Sequence, residues 1–121
     1  MPTVVASRDT NLVSIITRKL QLHQIQHIVL LKFKTAVTAE KIAQLFGLLA
    51  ELQHLIPGIT YYAGGPNSSS EGLNQGYTHG FIMTFENEAA RDAYLPHPEH
   101  ERVKAALLEC IDSVLAFDFE A

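Results

Sequence analysis

The chain has 121 residues, 47% of them apolar and 18% charged, with a formal net charge of −4. That length fits one domain, able to bury roughly two-thirds of its unfolded surface without a disulfide or metal to hold it together. No Lys/Arg run exceeds Arg18-Lys19, so no nucleic-acid footprint is expected, and one cysteine excludes an intrachain disulfide.

Along residues 1–25, Leu12, Ile15, Ile16, Lys19 and Leu20 recur at helical spacing. This stretch reads as an N-terminal extension, either a short amphipathic helix or an arm, outside a folded domain at 26–121. Arg8, Asp9, Arg18 and Lys19 interrupt any secretory core, and no apolar run approaches the ~20 residues a bilayer requires. A cytoplasmic protein with no membrane contact is expected.

His27 to Phe33 predicts the first strand. Thr38 predicts the cap of a helix carrying Ile42, Leu45, Phe46, Leu49, Leu52 and Ile56, stopped by Pro57-Gly58. Ile59 to Ala63 predicts a second strand, Gly64 to Gly76 a long loop with the character of a lid, and Tyr77 to Phe85 a third strand. Asn87 to Tyr94 predicts a short helix broken at Leu95-Pro96. Pro98 suits the first turn of the next helix, through Val103, Leu107 and Ile111. Cys110 falls among its apolar residues, as a small buried hydrophobe. Ser113 to Phe119 predicts the last strand.

The order β-α-β-β-α-β is the ferredoxin-like α+β arrangement with an antiparallel sheet. Alternation puts His27, Val29, Leu31 and Phe33 on one face of the first strand, Tyr77, His79, Phe81, Met83 and Phe85 on one face of the third, and Leu115, Phe117 and Phe119 on one face of the fourth. These aromatic-rich faces are expected beneath the helices. The opposite faces, with Ile28, Leu30, Ile82, Val114, Ala116 and Asp118, are mixed but too apolar for water. A homodimer packed through the sheet face would cover them.

Specific stretches carry a family resemblance: His27 to Lys34, Ile56-Pro57-Gly58, Gly76-Tyr77-Thr78-His79, Thr84-Phe85-Glu86, Tyr94 with His97-Pro98-Glu99-His100, and Asp118-Phe119. In order and spacing these resemble the stress-responsive dimeric α/β-barrel family over about residues 26–120. The resemblance implies two sheets closing into a barrel. The family includes a plant cyclase that closes a poly-β-ketone by aldol condensation, a boiling-stable plant stress protein, and many bacterial members of unknown function. Family membership therefore constrains fold more than activity. Carried over by position, His100 matches the cyclase's catalytic histidine, Tyr94 its catalytic tyrosine, and His27 and His79 two pocket histidines. A further pocket tyrosine of the cyclase has Leu49 in its place.

A histidine base with a tyrosine hydroxyl beside it could remove a proton next to a carbonyl and hold the enolate, with no cofactor. Each residue also has a structural reading: His100 fixing the loop-to-helix corner, Tyr94 packed with its hydroxyl satisfied, His27 and His79 as hydrogen-bonded core histidines, and His97 as a cap or surface residue. No spacing of His, Cys or carboxylates marks a metal site, and none is expected. Three functions remain open: a cofactor-free acid/base enzyme acting on a small apolar or keto-type ligand, a non-enzymatic stress dimer, and a cofactor-free monooxygenase. The absence of tryptophan gives the last no support.

Overall fold

The computed structural model describes residues 12–13 and 23–121. The N-terminal extension, read as a short helix or an arm, lies outside the described residues apart from residues 12–13 and 23–25. From residue 23 onward the elements are β1 (Ile25–Phe33), α1 (Ala39–Leu55), β2 (Ile59–Pro66), β3 (His79–Phe85), α2 (Glu88–Tyr94), α3 (Pro98–Leu108) and β4 (Ile111–Glu120). The strands form one antiparallel sheet in the order β2-β3-β1-β4. This is the ferredoxin-like β-α-β-β-α-β fold, its second helix divided into α2 and α3.

Local chemistry sets the boundaries. Thr38 Oγ1 accepts from the Lys41 backbone N–H at 3.1 Å and caps α1. Asn87 caps α2 through the Ala90 N–H at 2.8 Å. The His97 imidazole caps α3, whose first residue is Pro98. Gly58, at φ +92°, turns the chain into β2. A Cβ there would stand 2.7 Å from the Ala90 Cβ, so glycine also lets this turn lie against α2.

The core forms on one side of the sheet. Residues 25 to 33 of β1 alternate between buried and half-buried. Their buried set packs with Leu45, Leu49 and Leu52 of α1, Val103 and Leu107 of α3, and Met83 and Phe85 of β3. Cys110 is buried as expected, but it follows α3 in a turn, with its N–H donating to the Leu107 carbonyl at 2.9 Å.

Two sequence expectations are corrected. β2 runs on to Pro66 because Gly64 and Gly65 pair with Phe81 and Gly80, and backbone pairing needs no side chain. The inward face of β4 is the opposite of the expected one. Phe33 pairs with Ile111 but Lys32 pairs with Ser113, leaving Asp112 as an extra residue in β4. Val114, Ala116 and Asp118 consequently lie opposite Leu31, Val29 and His27 on the helix side. Leu115, Phe117 and Phe119 lie on the outer side at 43, 61 and 45% exposure. Alternation shows which residues share a face; aromatic content picked the wrong face as inward.

Gly58→Ala should cost about 1–3 kcal/mol through strained backbone and overpacking against Ala90. Urea unfolding measures it, and an unchanged midpoint would mean that the turn relaxes freely.

Candidate active site

β1, α3 and β4 enclose a cavity of about 250 Å³, walled chiefly by apolar side chains including Val29, Leu31, Leu49, Phe81 and Val103. Into it come His27, Tyr94 and His100, with the exposed Lys104 beside them.

Tyr94 and His100 meet because of the corner between α2 and α3. Tyr94 ends α2, and its carbonyl accepts from the His97 N–H at 3.0 Å, turning the chain. The His97 ring accepts from Glu99 N–H at 3.1 Å and starts α3. His100 falls in that first turn, its ring 4.2 Å from the Tyr94 ring between centroids. His100 Nδ1 lies 2.8 Å from the Leu95 carbonyl oxygen, which can only accept. The proton therefore sits on Nδ1, leaving Nε2 with a lone pair. Burial, the largest influence, pushes the His100 pKa below its usual 6.5, against the opposing Leu95 bond. Tyr94 is 1% exposed, and burial followed by the nearby Tyr62 phenol raises its pKa.

His27 is the inward residue of β1 across from Asp118 of β4. Its Nδ1 is 2.6 Å from Asp118 Oδ1, and the other carboxylate oxygen accepts from Arg91 Nη1 at 2.8 Å. Burial alone would raise the Asp118 pKa, but the bonds and charges of His27 and Arg91 outweigh it and hold the carboxyl below its usual range. Asp118 thus orients the His27 ring, and Arg91 keeps Asp118 ionised. The sequence reading missed both. Asp118 was placed on the outer face by the inverted parity of β4, and Arg91 has no motif to mark it.

Three of the four expected site residues come together; His79 stands apart. It faces Leu31 farther along the sheet, between the rings of Phe33 (5.1 Å) and Phe46 (5.7 Å), with Nδ1 2.9 Å from Thr78 Oγ1. Burial lowers its pKa. His79 borders a second recess, above Gly65 and Gly80. Leu49 does line the cavity.

Tyr62 was also missed. Its hydroxyl is buried without a partner, and its ring stacks obliquely on Phe81, 5.8 Å away. Burial pushes its pKa up to about 12. The hydroxyl lies 3.0 Å from where a Gly64 Cβ would be, so that glycine makes its room. Among the described residues, no three His, Cys, Asp or Glu side chains gather to hold a metal ion. No described helix is long and apolar enough to cross a membrane.

Residues 25–121 match the family model for the stress responsive A/B barrel domain. A stress-response A/B barrel domain-containing protein of Arabidopsis thaliana is 38% identical over 96 residues, covering 79% of this chain and 88% of the relative. Olivetolic acid cyclase of Cannabis sativa is 26% identical over 95 residues, 78% of this chain and 94% of the enzyme. Among solved structures, a dimeric ferredoxin-like protein of unknown function from Jannaschia sp. is 31% identical with a TM-score of 0.73, covering 81% of this chain and 99% of that one.

Two measurements check the site's energetics. Tyr62→Phe should stabilise the protein by about 1 kcal/mol, because it removes an unpaired buried hydroxyl; a loss of that size in urea unfolding would mean that the hydroxyl is bonded in solution. The folded-state pKa of His100 lies below its unfolded value, so the unfolded chain binds more protons as pH falls below about 6.5. Unfolding free energy should therefore fall on acidification from that pH, and His100→Asn should flatten this part of the curve.

Proposed function

The chain belongs to the stress-responsive A/B barrel domain family, and from that premise we propose that it is a homodimer whose cavity binds a small apolar or keto-type molecule and moves a proton next to its carbonyl. The observation that carries this reading is the convergence of His27, Tyr94 and His100 in one largely apolar cavity of about 250 Å³. Such pockets, with a few convergent polar groups, are where small ligands bind.

Each group has a role that follows from its bonds. His100 Nε2 is the general base: Nδ1 is committed to Leu95, and burial favours the neutral ring near pH 7. The Tyr94 hydroxyl, kept protonated by its raised pKa, donates to the oxygen that becomes an enolate. His27, aligned by Asp118, orients the carbonyl from the other side. Removal of the proton moves the C–H electron pair into the enolate, and the proton stays on His100 until it is returned to carbon or oxygen. Aldol closure, isomerisation and decarboxylation of keto compounds all share this step. The similar olivetolic acid cyclase supports a cyclase-like member of that group.

A stress-response dimer without catalysis is the second reading. It is favoured by the Leu95 bond, which would also fix the α2–α3 corner if His100 were purely structural, and by the 38% identical stress-response relative.

Deuterium exchange separates the two. The full-length protein should accelerate exchange of the protons flanking the carbonyl of 2-octanone in D₂O, followed by proton NMR. His100→Ala should lower that rate by about 10²–10⁴-fold while the protein remains folded. The rate should be full above pH 6.5 and decline as pH falls through the lowered pKa of His100. If His100→Ala exchanges as fast as the wild type, the base is misassigned. If the wild type gives no exchange and native mass spectrometry finds no retained organic molecule, the stress-dimer reading stands.

A further inference from the structure

The cavity opens to solvent through a slit between α3 and β4. His100, Lys104 and Leu108, each one helical turn from the next, form a stripe along the α3 rim. After the turn at Cys110 the chain returns beside this helix as β4, whose inward residues Ala116 and Val114 form the other rim. Leu108 and Val114 are half exposed, so the rims are largely apolar. Lys104 is the only Lys, Arg, Asp or Glu among the described residues that line the cavity. Its ammonium lies 3.3 Å from Glu101 Oε1, in a pair that is half exposed. The same oxygen is 3.7 Å from His100 Nδ1, so a single carboxylate can stand between the ammonium and the imidazole. Asp118, farther along the inward face of β4, has its charge taken up by His27 and Arg91 and leaves Lys104 unopposed from that strand.

A wholly apolar ligand makes no use of an ammonium at the mouth of its pocket; an anionic one does. We infer that the ligand is a keto acid, its carbonyl between Tyr94 and His27, its carboxylate on Lys104 in place of Glu101, and its alkyl chain against Leu31 and Leu107. Lys104 is thereby the residue that selects an acid over a neutral ketone. Side chains one turn apart on a helix start about 6 Å from each other. The carboxylate is therefore a few carbons from the carbonyl, as in a 4-oxo acid. The Lys104–Glu101 pair yields readily to a ligand, because water already screens both of its exposed groups. The ligand carboxylate gains more from the same ammonium, since its chain anchors it there. This inference rests on the proton-transfer reading above, and adds the charge of the ligand and the residue that reads it.

The test uses 4-oxodecanoate and its methyl ester, which share a hexyl ketone and differ in charge near neutral pH. Calorimetric titration of the full-length protein measures binding of each, and proton NMR in D₂O measures exchange beside each ketone. The wild type should bind the acid about tenfold or more tightly than the ester. Lys104→Ala should bring the two within about twofold of each other, Lys104→Glu should reverse the order, and Lys104→Arg should keep it. The ratio between the probes is decisive, because loss of a merely structural contact would weaken both alike. Added NaCl should shrink the ratio in the wild type, a check that needs no substitution. An acid preference that is absent, or that survives in both Lys104→Ala and Lys104→Glu, overturns the keto-acid assignment whatever the exchange rates. A preference that depends on Lys104 without exchange of either probe overturns the proton-transfer reading and leaves the keto-acid site standing. Binding of neither probe overturns both.

Discussion

The register between β1 and β4 is the constraint on which both faces of the sheet depend. Phe33 pairs with Ile111, and one residue is then skipped before Lys32 pairs with Ser113. That single extra residue, Asp112, reverses the parity of everything after it. Asp118 turns inward to meet His27, and Phe117 and Phe119 turn outward. A one-residue slip would place two phenylalanine rings in the cavity, remove the carboxylate from His27 and leave an imidazole in an apolar wall without a partner. The same slip would strip the outer face of its aromatic edge.

Around that register the cavity is assembled by elements with unrelated reasons to be where they are. His27 is held from the sheet, through Asp118 and Arg91. His100 and Tyr94 are held by the α2–α3 corner, through the Leu95 and Tyr94 carbonyls and the His97 cap. Each histidine has Nδ1 committed, His27 to a carboxylate and His100 to a carbonyl. Rigid secondary structure and fixed tautomers place the polar groups without requiring a ligand to order them, and this is the condition under which proton transfer gains from proximity.

Most of the fold was legible because its signals are local. Thr38, Asn87 and Pro98 mark helix starts by their own hydrogen-bonding and dihedral limits, and Pro57-Gly58 marks a stop. The helix-facing residues of β1 follow from period two. What escaped was non-local. The β4 bulge depends on pairing with a strand eighty residues away, so the inward turn of Asp118 left no trace in the alternation of its own strand. Arg91 is an ordinary helical arginine until Asp118 is placed beside it. His79 was grouped with His27 through the family resemblance and because both face the helices, but a shared face carries no information about distance along it. The unpaired hydroxyl of Tyr62 becomes visible only once Gly64 is seen to leave space for it.

β4 is an edge strand of ten residues with apolar side chains exposed on both of its faces, at Val114, Leu115, Phe117 and Phe119. Such an edge is a template on which a foreign strand can add, and the usual protection is charge. Here the protection is acidic: Asp112, Asp118 and Glu120 are spaced along the strand. Carboxylates are an effective guard only while ionised. Strong acid would silence the negative charges on this edge together with the Asp118 bond that orients His27, so conditions that disarm the cavity would also remove the electrostatic barrier to fibre growth.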